Sequence, residues 1–194
     1  MRVFVASDLD DAIRQNIVRF VEGAAGFAPE VRWMKPEALH LTLKFIGEFP
    51  DAKLEELKAA LAIVKAPQFD ISFSGTGFFP TPKAARVFWV GVHADERLKK
   101  LASAVDDALA KLGIEREVRA YTPHLTLARS GSGRPSREKE DKPNNRFQKL
   151  RERLEKMAPP DFGTMTAREF YLYQSKLSPR GSEYSKLERF AFSQ

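Results

Sequence analysis

The feature that most constrains this chain is the tetrapeptide His-Leu-Thr-Leu, which occurs twice, at residues 40–43 and 124–127. Two of the three histidines in the sequence open these tetrapeptides. In an extended strand, side chains two residues apart lie on the same face. Each copy would therefore present its imidazole and hydroxyl together and turn its two leucines towards a core. The pattern predicts two buried strands that each offer one titratable group and one hydroxyl to a shared cleft.

Other short segments recur in the same order and at nearly the same spacing. Arg-Val-Phe at residues 2–4 returns at 86–88, an offset of 84, and Glu-Val-Arg at 30–32 returns at 117–119, an offset of 87. Hydrophobic residues at strand and helix spacing alternate along both halves. We therefore predict two β-α-β-β-α-β halves, related by internal duplication, within a single two-lobed domain spanning residues 1–194.

Composition and charge exclude several kinds of protein. The chain has no cysteine, which excludes disulfide scaffolds, thiol nucleophiles and cysteine-ligated zinc. No segment approaches the roughly 20 apolar residues of a membrane helix. The first seven residues are typical of a strand and not of a signal peptide, which favours the cytoplasm. The formal net charge of +6 suits an anionic partner such as RNA or a nucleotide.

One segment, residues 131–145, has no counterpart in the first half. It is rich in glycine, proline and charged residues, which predicts a surface loop. A solvated insertion is the favoured interpretation, and a basic flap over an RNA strand is the alternative.

Since no helix or strand is left with an obviously unburied apolar face, we expect a monomer.

Two histidines that face each other across a cleft can act as general acid and general base, because imidazole exchanges its proton near neutral pH. Displacement at phosphorus suits such a pair, since the attacking and leaving oxygens lie in line on opposite sides. This predicts His40 and His124 as the catalytic pair. Thr42 and Thr126 would donate hydrogen bonds to the equatorial phosphate oxygens, where charge gathers, and Arg129 would add a positive charge.

Strict alternation conflicts with two of these candidates. Arg129 and Phe45 each follow their histidine by five residues, which places them on the opposite face of a regular strand. Arg129 can reach a phosphate, and Phe45 can stack on a base, only if the strand bulges, twists or ends nearby.

Rival uses of the two motifs are a metal site and a threonine nucleophile assisted by histidine. A metal would need a third and a fourth ligand, and no carboxylate lies at tetrapeptide spacing from either histidine. A nucleophile would need an orienting acid, which the motif lacks. The third histidine, His93, has no threonine partner, and we interpret it as structural. The sequence thus predicts neither a metal nor a cofactor.

With their flanking residues, the tetrapeptides resemble the bacterial and archaeal RNA 2',3'-cyclic phosphodiesterases, the LigT/ThpR-like group of the 2H phosphoesterase superfamily, once described as 2'-5' RNA ligases. The resemblance rests on Trp-Met-Lys-Pro at 33–36 leading into residues 39–47, on residues 122–129, and on residues 170–181 with Tyr184. It covers nearly the whole chain. One His-x-Thr motif is a weak signal, whereas two with these flanks are a strong one.

The resemblance implies an α+β fold of two pseudo-symmetric lobes, each an antiparallel sheet backed by helices, around a central cleft. It implies metal-independent hydrolysis of a 2',3'-cyclic phosphate at an RNA end to a 2'-phosphate. By analogy, His40 donates a proton to the departing 3' oxygen and His124 accepts one from the attacking water. Thr42, Thr126 and Arg129 would hold the phosphate, and Phe45 would stack on the base.

Two other functions stay open from the sequence. The same site could act as a phosphodiesterase or ligase on small cyclic nucleotides or 2'-5' linked oligonucleotides. A non-catalytic module that binds RNA ends is the alternative from another class, although a binder has no need of two facing acid–base groups.

Overall fold

The structure is a computed structural model that describes residues 1–131, 144–178 and 181–193. Within these residues the chain forms nine strands and four α-helices. The strands are β1 (Arg2–Ser7), β2 (Arg32–Trp33), β3 (Leu41–Glu48), β4 (Phe69–Phe79), β5 (Val87–His93), β6 (His124–Arg129), β7 (Asp161–Ala167), β8 (Glu169–Ser178) and β9 (Gly181–Ala191). The helices are α1 (Asp11–Ala24), α2 (Leu54–Ala62), α3 (Glu96–Ala110) and α4 (Gln148–Leu154).

The strands form two antiparallel sheets, which confirms the predicted α+β class. The first sheet has the order β3-β1-β8-β9 and the second has the order β2-β6-β5-β4-β7. Helices α2 and α3 pack on each other and against β9 and β3 of the first sheet, whereas α1 packs against β7 of the second. Helices therefore cover one face of each sheet, and His40 and His124 lie on the opposite faces.

The two sheets do not coincide with the two halves of the chain. Strands β8 and β9, from the second half, complete the sheet that begins with β1 and β3. Strands β2 and β4, from the first half, lie in the sheet of β5 and β6. Because each sheet draws on both halves, neither half can form its sheet alone. The internal duplication itself stays a prediction.

Several predicted elements differ in detail from the structure. Strand β2 is only two residues long, and residues 117–119, which repeat the sequence of residues 30–32, lie in a segment without strand pairing. The last part of the chain forms three strands, because the strand ends before Arg168 and the chain passes there from the second sheet to the first. Most of the predicted charged loop, residues 132–143, lies outside the described residues.

The helices and the inner faces of the sheets enclose one hydrophobic core. All four leucines of the tetrapeptides belong to it and are at most 5% exposed, as predicted. Helix α3 shows how the sequence specifies its elements: Asp95 accepts a hydrogen bond from the backbone N–H of Arg97 at the N-terminus, and Leu98, Val105 and Leu109 are buried at helical spacing. No helix in the described residues is long and apolar enough to cross a membrane.

Candidate active site

The two sheets meet where the motif strands β3 and β6 approach each other. His40 directly precedes β3 and His124 is the first residue of β6. The hydroxyl of Tyr121, three residues before His124, donates a hydrogen bond of 3.0 Å to the backbone carbonyl of Thr42. The two motifs are therefore neighbours, each on its own sheet.

A β-bulge in β6 moves Arg129 to the face of the motif. The β6 residues that pair with the adjacent Phe88 and Trp89 are two apart, so Leu127 is an extra residue. Leu127 and the residue after it are both buried, whereas Arg129 is exposed. A bulge shifts the alternation of side chains by one residue. Arg129 therefore lies on the same face as His124, which meets the condition that the sequence had set.

Strand β3 contains the same bulge. The residues that pair with two adjacent positions of β1 are again two apart, and Leu43 is the extra residue. Phe45 consequently lies on the face of His40, with its side chain 45% exposed and the guanidinium carbon of Arg2 5.0 Å from its ring centroid. Phe45 and Arg129 are 84 residues apart, so they occupy equivalent positions in the two motifs.

Aromatic rings surround His40. Phe4 stacks on its imidazole with 4.6 Å between ring centroids, and Tyr173 lies parallel at 5.7 Å. Tyr184 meets the imidazole edge-on at 5.1 Å. The cleft face of the first sheet is thus an aromatic wall that shields one side of His40 from water.

This shielding lowers the pKa of His40 to about 4, because burial disfavours the imidazolium cation. The carboxylate of Asp8 opposes this effect, and the positive charges of Arg14 and Arg129 add to it. Arg129 also lowers the pKa of His124. A single guanidinium from the second sheet therefore acts on both histidines.

Arg14 organises the chain just before His40. Its guanidinium donates hydrogen bonds to the backbone carbonyls of Pro36 and Leu39, the latter at 3.1 Å. It also pairs with Asp8, whose other carboxylate oxygen lies 2.6 Å from Nζ of Lys186. Burial favours the neutral form of Asp8, but Lys186 and Arg14 outweigh it and hold the pKa of that carboxyl below its usual range.

A backbone carbonyl holds His124. Nδ1 lies 2.8 Å from the carbonyl oxygen of Thr122, and the ring of Phe79 meets the imidazole edge-on at 5.0 Å. Because a carbonyl only accepts, Nδ1 carries the hydrogen and Nε2 of the neutral ring keeps its lone pair. Burial lowers the pKa of His124, with Arg129 acting in the same direction and the Thr122 carbonyl opposing it.

Sequence reasoning missed the residues that hold the two motifs in place. Lys44, only 6% exposed, points away from the cleft and pairs with Asp106 of α3 at 2.5 Å. It also donates to the carbonyl of Glu115, on the segment that leads to His124. A lysine within an apolar strand signals a buried ion pair, but nothing in the sequence marks its partner. No sequence pattern indicated a role for Tyr121 or Arg14.

The remaining candidates are less informative. Nε2 of His93 lies 3.2 Å from the carbonyl oxygen of Ser74, and its structural role stays a prediction. Within the described ranges, no three His, Asp or Glu side chains cluster closely enough to hold a metal ion. Thr42 and Thr126 are both half-buried and follow their histidines on the cleft faces of β3 and β6.

Comparison with known proteins adds to this geometry. The family model described as LigT like Phosphoesterase matches the chain twice, over residues 8–89 and 90–184. A protein of Archaeoglobus fulgidus named RNA 2',3'-cyclic phosphodiesterase is 36% identical over 98% of this chain and 99% of its own length. A protein of the same name from Escherichia coli is 29% identical over 100% of this chain and 97% of its own length.

Solved structures agree. The crystal structure of Escherichia coli LigT complexed with 3'-AMP matches with a TM-score of 0.77 and 28% identity, covering 100% of this chain and 98% of the other. Since the family model spans nearly the whole chain and a full-length relative exceeds 30% identity, this chain belongs to the LigT-like phosphoesterase family.

Proposed function

We propose that this chain hydrolyses 2',3'-cyclic phosphates at RNA ends to 2'-phosphates. The observation that carries the proposal is the position of Arg129, which the bulge of β6 places where its charge acts on both histidines. A cation beside two acid–base groups suits an anionic phosphate. Relatives that match this chain over nearly its whole length are named for this activity, which supports the same substrate.

In the proposed reaction, His124 accepts a proton from water through Nε2 as the water oxygen attacks phosphorus. The bond between phosphorus and the 3' oxygen breaks, and His40 gives its proton to that oxygen. The hydroxyls of Thr42 and Thr126 and the guanidinium of Arg129 hold the phosphate oxygens, where charge accumulates. The product is a 2'-phosphate beside a free 3' hydroxyl.

The low pKa of His40 in the free protein is compatible with its role as the acid. A bound phosphate brings a negative charge next to the imidazole, and an opposite charge nearby favours the protonated form. The carboxylate of Asp8 acts in the same direction. Substrate binding therefore raises the pKa of His40, so that the imidazole takes up from solvent the proton that the leaving oxygen needs.

The exposed ring of Phe45 is proposed to stack on the base of the terminal nucleotide. It lies on the same sheet as His40, so the ribose that carries the leaving oxygen and its base would share one side of the cleft. An RNA end as the partner, a monomeric state and a cytoplasmic location stay predictions.

The test is incubation of the purified protein, in excess EDTA, with an RNA oligomer that ends in a 2',3'-cyclic phosphate. His40→Ala and His124→Ala are assayed beside it, and His93→Ala serves as the matched control. We expect conversion to the 2'-phosphate by the parent and the control, and a loss of about 10²-fold or more in each of the other two variants. Full activity in both His40→Ala and His124→Ala would refute the proposal.

A further inference from the structure

Two arginines lie directly opposite each other at the edge of the second sheet. Arg32 of β2 pairs with Arg129 of β6 in antiparallel register. Directly opposed residues project from the same face, with Cβ atoms about 4.5–5.5 Å apart. The next residue, Trp33, points into the core, where its ring meets Phe88 edge-on at 5.9 Å. Arg32 is exposed and therefore lies on the cleft face beside Arg129.

This pair is unfavourable without an anion. Like charges directly opposite each other destabilise a sheet. Reduced hydration in the cleft and the charge of Arg32 both lower the pKa of Arg129. Among the described residues, the arginines that pair with carboxylates do not include Arg32 or Arg129. The site thus holds more positive charge than a single cyclic phosphate, with one negative charge, can neutralise.

Strand β2 is the outermost strand of its sheet, with β6 next to it. Arg32 therefore lies one strand further out than Arg129. A nucleic acid strand whose terminal phosphate contacts Arg129 must extend out of the cleft. The next negative charge along that strand is the phosphodiester before the terminal nucleotide. Arginine suits that contact because its planar guanidinium binds two phosphate oxygens at once.

We propose that Arg32 binds the phosphodiester that precedes the terminal nucleotide, and that the site thereby selects RNA ends over cyclic mononucleotides. The inference rests on the proposed function, since Arg129 is assigned there to the cyclic phosphate. A nucleoside 2',3'-cyclic phosphate has no second phosphate and gains nothing from Arg32.

The experiment compares Arg32→Gln with Arg19→Gln, which removes the same charge from the exposed face of α1. The value of kcat/KM is measured for an RNA oligomer with a cyclic phosphate end and for a nucleoside 2',3'-cyclic phosphate. We expect Arg32→Gln to lower kcat/KM for the oligomer roughly tenfold, to leave the mononucleotide unchanged, and to weaken the salt dependence of oligomer cleavage. Arg19→Gln should change neither substrate.

Equal losses on both substrates would overturn the inference and assign Arg32 to the cyclic phosphate, and no loss on either would overturn it as well. A melting temperature at or above that of the parent is expected, because a repulsion is removed, and it shows that the variant is folded.

If the parent cleaves neither substrate, the proposed function fails and oligomer binding decides the subsite. Weaker binding by Arg32→Gln than by Arg19→Gln then supports the subsite, and equal binding refutes it.

Discussion

The two His-x-Thr motifs have the same sequence and the same bulge, yet their surroundings differ. His40 lies against a wall of rings, with Phe4 stacked on it at 4.6 Å. His124 is held by one hydrogen bond, from Nδ1 to the carbonyl of Thr122 at 2.8 Å. The first environment lowers the stability of the cation, whereas the second determines which nitrogen carries the proton. Identical tetrapeptides are therefore placed in sites that favour different roles.

The residues that follow the two bulges also differ in chemical character. One motif presents Phe45, an exposed ring, and the other presents Arg129, a cation. A substrate that stacks with one end and carries charge at the other can therefore bind in only one direction. Under the proposed function, a pseudo-symmetric pair of strands becomes a directional site through the residues around the tetrapeptides.

The largest expected effect is on the rate, and it distinguishes the histidine that acts as general acid from the one that acts as general base. If His40 protonates the leaving 3' oxygen, replacing that oxygen with sulfur removes the need for it, because a thiolate leaves without a proton. We expect His40→Ala to lose about 10²–10⁴-fold in kcat on the oxygen substrate and less than about tenfold on the 3'-sulfur analogue. His124→Ala should lose about 10²–10⁴-fold on both. Steady-state kinetics on the two substrates checks this.

The opposite pattern, with rescue of His124→Ala by sulfur, would exchange the two roles. The His93→Ala variant provides the reference rate on both substrates, since His93 belongs to neither motif.

A second test uses the depressed pKa of His40. In the unfolded chain this histidine titrates near its ordinary pKa of 6.5, whereas its folded pKa is about 4. Between these values the unfolded state binds more protons, so the free energy of unfolding falls as the pH decreases from 6.5 to 4. The loss from this one group is at most roughly 3 kcal/mol. Urea unfolding at pH 7 and pH 4.5 measures it.

His40→Phe keeps a ring against Phe4 but cannot be protonated, so it should lose less stability than the parent between these pH values. His124→Phe should behave similarly with a smaller difference, because the Thr122 carbonyl opposes the effect of burial. An equal loss of stability in the parent and in His40→Phe would mean that His40 is not held neutral by its surroundings.

The sequence predicted the parts of this site that local pattern controls. The alternation of the tetrapeptides gave the buried leucines and the cleft-facing histidines and threonines, because period two is a property of any strand. The helical spacing of apolar residues in both halves is met by helix α3, whose buried residues recur at that spacing. Family resemblance supplied the fold class and the reaction.

The pairing of distant segments could not be predicted in the same way. Nothing in the sequence shows that β8 and β9 join β1, because strand partners are chosen by the whole fold. The bulges at Leu43 and Leu127 had the same limit: alternation alone placed Phe45 and Arg129 on the wrong face, and only the register with β1 and β5 corrects it. The buried pair of Lys44 and Asp106 likewise joins residues far apart in the chain.

The smallest expected effect concerns the contact between the motifs. Tyr121→Phe removes the hydroxyl that donates to the Thr42 carbonyl and leaves the ring in place. Loss of one partly buried hydrogen bond should lower the free energy of unfolding by about 0.5–1.5 kcal/mol. Because the bond joins the strand of one histidine to the approach of the other, kcat should fall several-fold while the affinity for product changes little. Urea unfolding and steady-state kinetics measure the two effects.

Tyr171→Phe is the matched control. Its hydroxyl bonds to Glu169 on the same strand and interacts with Lys186 of β9, so its contacts stay within the first sheet and do not join the two motifs. The control should lose stability to a similar extent with an unchanged kcat. If both variants lose the same fraction of kcat, general loosening of the fold explains the loss. If only Tyr121→Phe slows, the relative position of the two motifs limits the rate, and the hydrogen bond from Tyr121 to the Thr42 carbonyl contributes to that position.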